Sequence, residues 1–166
     1  MTVNQNRVEY SPFPKLTGDF VVRMMKVGWK DLAWAAHNHW LDVGSLVALA
    51  DRIAETDEDL RVSIACASLN EDGALGEILE RQAASDDTPD AAVRARWMRV
   101  AVAWVYQNRA ILGDPLAVIE EIWEAFDHPK ELNGLIRWMP VSTEGGAGEE
   151  EMIKHLIAYV DRVKNH

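Results

Sequence analysis

The chain has 166 residues, of which 17 are Lys or Arg and 27 are Asp or Glu, so its formal charge at pH 7 is −10. This acidic balance argues against a protein that binds nucleic acid or an anionic membrane, because both partners select basic surfaces. Hydrophobic residues make up 48% of the chain and charged residues 27%, which is typical of a soluble globular protein. The length predicts a single domain over residues 1–166.

The N-terminal part and the cysteine content favour a cytoplasmic protein. Residues 1–15 are predicted to form an extended segment, and residues 1–10 lack the apolar centre of a signal peptide. Cys66 is the only cysteine, so no disulfide can form within the chain, which suits a reducing compartment. The longest apolar stretch, Val100 to Tyr106, is much shorter than the roughly 20 residues that span a bilayer.

Apolar residues recur with the period of an α-helix from residue 42 onward. Asp42 is placed to cap a helix through Ile53, and Thr56 with Asp59 resembles a capping box that opens a second helix through Leu69. Cys66 falls at helical spacing between Val62 and Leu69, which predicts a buried, inert thiol. A third helix is expected after Asp72, with Asp72 as its cap and an apolar stripe at Leu75, Ile78, Leu79 and Ala83.

The second half of the chain continues the helical pattern. The segment from Pro89 to Ile111 is apolar on most sides, which predicts a buried central helix. Asp114 and Pro115 predict the start of the next helix, because they place a capping side chain before a proline at the first helical position. A short helix ends at Pro140, a Gly-rich loop covers residues 141–149, and a last helix presents Ile153, Leu156, Ile157 and Val160. The sequence thus predicts an all-α bundle of seven to nine helices, since no run alternates with the period of a strand.

The sequence contains none of the common catalytic or metal-binding motifs. HExxH, GxxxxGK[ST], GxSxG and the EF-hand loop pattern are absent. His37 and His39 lie about 200° apart on a helix, so one metal ion cannot be shared between them there. We therefore expect no catalytic residue, no metal and no cofactor.

Carboxylates cluster in three places and are the candidates for binding a partner. The acidic excess lies after residue 50, since residues 1–50 carry a net +1 and residues 51–166 a net −11, which sum to −10. The carboxylates from Glu120 to Asp127 are expected to lie on the solvent side of their helix. A solvated face is the favoured interpretation, and a patch that attracts a basic protein is the alternative. The candidate residues are Asp57, Glu58, Asp59, Glu71, Asp72, Glu120, Glu121, Glu124 and Asp127.

Seven tryptophans are an unusual number for a chain of this length. Trp97 and Trp104 share one face of the predicted central helix, where core packing explains them. Trp29, Trp34 and Trp40 fall within twelve positions, and one helix cannot bury all three on one side. Core positions are favoured for each, with partial exposure as a protein-binding anchor as the alternative.

Two stretches resemble a bacterial family labelled domain of unknown function 2247, over roughly residues 20–140. The first stretch comprises residues 29–34 and 40–43, with the sequences WKDLAW and WLDV. The second, more specific stretch comprises WVYQNR at 104–109, DPL at 114–116, IEEIW at 119–123, DHP at 127–129 and IRWMP at 136–140. Trp123 and Trp138 stand where the family pattern leads us to expect Tyr.

The resemblance implies a small bacterial cytoplasmic protein without enzymatic activity and supplies no catalytic residues. It also suggests an immunity protein that neutralises a secreted polymorphic toxin, including those of contact-dependent growth inhibition. The expected partner is then a basic toxin domain, with no nucleic acid and no membrane as direct partners. Two alternatives stay open: a helical scaffold or adaptor, and an enzyme whose site forms only in three dimensions. For the enzyme, Asp31, His37, Arg109 and Arg137 are the first residues to examine.

Overall fold

A computed structural model describes residues 16–70, 73–139 and 148–165. These residues form eight α-helices and one 3-10 helix, and no β-strand occurs among them. The prediction of an all-α fold with seven to nine helices is therefore confirmed. The helices are α1 Gly18–Met24, α2 Trp29–His37, α3 Val43–Ala54, α4 Glu58–Ser68, α5 Ala74–Ala83, α6 Asp90–Gln107, α7 Pro115–Ala125, the 3-10 helix η1 Lys130–Leu135, and α8 Glu149–Lys164.

The described chain divides into two compact units, with the boundary inside α6 between Trp97 and Met98. Residues 16–97 belong to the first unit, and residues 98–139 and 148–165 to the second. The expectation of one domain over residues 1–166 stays a prediction. The expected extended segment 1–15 and most of the Gly-rich loop 141–149 lie outside the described residues, and α8 already begins at Glu149.

Helix starts follow the predicted caps at α3 and α7 and differ from them at α4 and α5. Asp42 caps α3 by accepting a hydrogen bond from the Ser45 N–H, and Asp114 caps α7 ahead of Pro115. At α4 the cap is Asp57, which accepts from the Leu60 N–H, so the predicted capping box at Thr56 and Asp59 is wrong. Both Thr56 and Asp57 carry a capping oxygen, and sequence patterns place a helix end only within one or two residues.

The exposure of α4 corrects the prediction for Cys66. The helix buries Ile64 and Ala67, whereas Val62 and Leu69 are 59% and 85% exposed. Cys66 lies on the same exposed side as Val62 and Leu69, so the thiol is exposed and not buried. The sequence offers two apolar stripes on this helix, and tertiary packing buries the one that contains Ile64 and Ala67.

The first unit is built around a cluster of three tryptophans. Trp34, Trp40 and Trp97 are buried, with the Trp34 and Trp97 rings stacked at 5.7 Å and the Trp40 ring edge-on to Trp34 at 4.9 Å. Helix α2 packs chiefly on α5, and α3 packs chiefly on α4. The core positions predicted for Trp34, Trp40 and Trp97 are confirmed, whereas Trp29 and Trp104 are half-buried.

Helix α6 is buried on most sides, as its apolar pattern predicts. In the first unit its side chains Val93 and Trp97 are buried. In the second unit the buried side chains of α6 are Met98, Val100, Ala101, Val102, Ala103 and Val105. A helix with so little exposed surface belongs to the interior of a helical assembly.

A buried ion pair ties α2 to α6 within the first unit. The Asp31 carboxylate is fully buried and accepts hydrogen bonds from the Arg96 guanidinium at 2.9 Å and from the Gly28 N–H at 2.8 Å. The Asp31 backbone carbonyl also accepts a hydrogen bond, from the indole N–H of Trp97. One residue thus positions the start of α2, the side chain of Arg96 and the tryptophan cluster.

Burial and hydrogen bonding act in opposite directions on the pKa of Asp31. Burial raises the pKa above its ordinary value, and the hydrogen bonds from Gly28 and Arg96 oppose this without cancelling it. Nearby, hydrogen bonds from Thr88 and from the Lys30 N–H lower the pKa of Asp86 to about 2. The Asp31 carboxylate therefore depends on Arg96 and Gly28 to offset the cost of burying its charge.

In the second unit Glu131 connects three helices. Its carboxylate accepts two hydrogen bonds from Arg99 of α6, at 3.0 and 2.9 Å, and one from the Tyr159 hydroxyl of α8, at 2.7 Å. Partial burial would raise the pKa of Glu131, but these hydrogen bonds lower it overall. Burial together with this carboxylate raises the pKa of Tyr159.

We predict that Arg96→Met destabilises the protein by about 3 kcal/mol near neutral pH, because it leaves the Asp31 carboxylate buried without its counter-charge. The substitution also raises the pKa of Asp31 further, so the carboxylate becomes protonated as the pH falls. Because a protonated carboxyl carries no buried charge, the loss of stability caused by Arg96→Met then becomes smaller. Urea unfolding of both proteins at about pH 8 and about pH 5 measures this difference.

The matched control is Arg81→Met, since Arg81 is an exposed side chain of α5. It is expected to leave stability nearly unchanged at both pH values. An Arg96→Met deficit that stays constant or grows on acidification would contradict this account of Asp31.

Candidate partner-binding surface

The predicted acidic cluster at the start of α4 is explained by the stability of that helix. Asp57 is the N-cap, and Glu58 pairs with Arg61 at 3.0 Å. Asp59 lies in the first turn, where a negative charge interacts favourably with the positive end of the helix dipole. These three exposed carboxylates therefore stabilise the helix itself, which explains their positions without a partner protein.

Glu71 and Asp72, the second predicted cluster, lie outside the described residues. The prediction that Asp72 caps α5 is wrong, because Gly73 occupies the N-cap position. Gly73 has a φ of +83°, a left-handed conformation that glycine adopts without the steric cost of a Cβ atom.

Glu120 is engaged by Arg137, so the predicted solvent-facing position of this carboxylate is wrong. The Arg137 guanidinium donates to Glu120 at 3.1 Å and to Asp114 at 2.8 Å, and the Arg137 N–H also donates to Glu120. The Glu120 side chain is half-buried, and the hydrogen bonds from Arg137 lower its pKa. Capping of Ala117 and the Arg137 contact lower the pKa of Asp114, so both carboxylates hold the chain after η1 against α7.

Glu124 and Asp127 lie exposed at the C-terminal end of α7, and Glu121 is exposed about one turn earlier on the same helix. The free carbonyls there carry the negative end of the helix dipole, so carboxylates are unfavourable and basic residues are the stabilising choice. The last turn of α7 contains no basic residue. The helix dipole therefore gives the negative charges of Glu124 and Asp127 no stabilising role at this end of α7.

Trp138 is exposed and held in place next to the same helix. Its ring lies edge-on to Trp123 of α7 with centroids 5.1 Å apart, and 63% of its surface is exposed. Trp123 also contacts the His128 ring at 4.1 Å and donates from its indole N–H to Asn133. We define the α7-end surface as Glu121, Glu124, Asp127 and Trp138.

Sequence analysis missed Trp138 as a candidate binding residue. The tryptophan appeared there only within the IRWMP motif of the family resemblance. The preceding residue, Arg137, is held by Asp114 and Glu120, which lie 23 and 17 positions away from it. Such distant pairings leave no local sequence signal.

The four residues singled out for an enzyme have structural partners or exposed positions. Asp31 is bound to Arg96, and Arg137 is bound to Glu120 and Asp114. Arg109 lies over the Tyr106 ring at 4.2 Å, and His37 is an exposed residue of α2. Within the described ranges, no group of three or more His, Cys, Asp or Glu side chains is placed to hold a metal ion.

A comparison of the sequence with protein families identifies a known group. Residues 18–164 match the family described as "Uncharacterized protein conserved in bacteria (DUF2247)". The chain belongs to this family. The match confirms the resemblance and extends it beyond residue 140, into the tail where the sequence offered no recognisable motif. No curated protein and no solved structure matches the chain.

In the described part of this family member, no helix combines the length and apolar character that crossing a bilayer requires.

We predict opposite stability effects for two neutralised carboxylates of similar exposure. Glu124→Gln is expected to raise the melting temperature by about 1 °C, because it removes a negative charge from the C-terminal end of α7. Glu58→Gln is expected to lower it by about 1 °C, because it removes a charge from the N-terminal end of α4 and from the Arg61 pair.

Thermal unfolding followed by circular dichroism at low salt measures both shifts, and high salt should reduce them. A lower melting temperature for Glu124→Gln would contradict the claim that this carboxylate opposes helix stability.

Proposed function

We propose that the protein is a non-enzymatic immunity protein that neutralises a bacterial toxin with a basic surface, and that the α7-end surface contacts the toxin. The observation that carries the proposal is the set of exposed carboxylates in and just after the C-terminal half of α7, together with the exposed Trp138, whose ring packs on Trp123 of the same helix. Charges retained against local stability are typical of functional sites.

The two parts of the surface have complementary roles in such a complex. The carboxylates attract a basic partner from a distance and raise the association rate. Trp138 supplies a large apolar contact, and tryptophan is among the residues that contribute most to protein–protein binding energy. Because its ring is already held by Trp123, little side-chain freedom is lost on binding.

An adaptor that binds through an apolar face is the second candidate function. The exposed Val62 of α4 and Leu69, its C-cap residue, favour it, since they lie with Cys66 on one exposed side of that helix. Salt distinguishes the two functions: binding through the α7-end surface weakens as salt rises, whereas binding through apolar contacts changes little.

We predict that the toxin domain encoded beside this gene binds the purified protein with an association rate that falls at least tenfold between about 50 mM and about 500 mM salt. Trp138→Ala is expected to weaken binding about 30-fold, since loss of a central tryptophan contact typically costs about 2 kcal/mol. Combined Glu121→Gln and Glu124→Gln should slow association mainly at low salt.

Surface plasmon resonance with each variant separates these effects. Glu58→Gln and Glu150→Gln are the matched controls, because both remove an exposed carboxylate away from the α7-end surface. Absence of binding to the neighbouring toxin at low salt would rule out the immunity function. Binding that Trp138→Ala and the α7 variants leave unchanged would instead rule out this surface.

A further inference from the structure

An open cleft of about 410 Å³ lies in the first unit, between α2, α5 and the start of α6. This volume falls within the range of small-molecule sites. Its apolar lining consists of Ala33 and Trp34 of α2, Ala83 of α5 and Val93 of α6. The small side chains of Ala33 and Ala83 leave room between the helices, and the Trp34 indole adds an aromatic wall.

The polar lining carries more negative than positive charge. It comprises Lys30 and His37 of α2, Glu80 of α5 and Asp90 of α6. The Lys30 ammonium group is already engaged, since it donates to the Thr88 carbonyl at 2.7 Å and lies 3.3 Å from the Asp90 carboxylate. The lining thus contains two carboxylates and one ammonium group, and the exposed Glu80 has no ion-pair partner among the described residues.

We propose that this cleft binds a cation carried on an aliphatic stem, namely an alkylguanidinium or alkylammonium group. The apolar lining suits the methylene stem, and Glu80 suits the charged head as a hydrogen-bonding counter-ion. An anionic ligand would meet the uncompensated charge of Glu80 and is disfavoured.

This ligand chemistry has two sources: a free amine or guanidine, and the Lys or Arg side chain of a partner protein. Either source would place the same charged group and methylene chain in the cleft. Only the protein side chain would also place peptide backbone at the opening of the cleft. The inference goes beyond the proposed toxin binding, because its test needs no toxin and concerns a different set of residues.

Isothermal titration calorimetry with agmatine, acetyl-Ala-Arg-Ala-amide and butyrate tests the proposal. We expect both cationic probes to bind and butyrate not to bind. Glu80→Gln should weaken cation binding about fivefold, whereas Glu77→Gln, an exposed carboxylate on the same helix, should not change it. The probe with the higher affinity identifies the source, a free amine or a protein side chain.

A cleft-filling variant provides a second measurement. Ala84 lines the cleft but is exposed, so Ala84→Leu occupies ligand space without entering the core. It should reduce binding at least fivefold, whereas Ala158→Leu on the exposed side of α8 should not. Circular dichroism confirms that each variant is folded. Failure of both cations to bind, equal binding of butyrate, or insensitivity to both Glu80→Gln and Ala84→Leu would overturn the proposal.

Discussion

Burial of the Asp31 carboxylate is the constraint on which the first unit depends. A charge with no exposed surface is tolerated only where counter-charge and hydrogen bonds replace water, and here Arg96 and Gly28 provide both. Satisfying this carboxylate fixes α2 against α6 and sets the start of α2. Because the Asp31 carbonyl also accepts from Trp97, the same residue orients the ring that stacks on Trp34.

The interactions that each carboxylate makes within the protein separate structural carboxylates from candidate binding residues. Asp57 caps a helix, Glu120 holds Arg137, and Glu131 holds Arg99 and Tyr159. The carboxylates at the end of α7 differ, since the helix dipole there opposes negative charge. An acidic composition by itself is weak support for binding, and the position of each charge along its helix makes the argument specific.

The bacterial family to which the chain belongs is described as uncharacterized, so membership assigns no reaction or ligand to the protein. The proposals therefore depend on the α7-end surface in the second unit and on the α2–α5–α6 cleft in the first. The surface suits a large basic partner because it combines exposed carboxylates with an exposed tryptophan. The cleft suits one cationic group because its polar lining contains a carboxylate with no counter-ion among the described residues. Each has its own probe, so one can fail without the other.

The sequence by itself determined the helical fold, the caps at Asp42 and Asp114, the buried character of α6 and the family, because these depend on local periodicity and short motifs. Only the tertiary structure decided which apolar stripe of α4 is buried, and hence that Cys66 is exposed. It also decided which carboxylates are neutralised, since Arg96 lies 65 positions from Asp31 and Arg137 lies 17 from Glu120. Periodicity shows which residues share a helix face, but burial and charge pairing depend on what packs against that face.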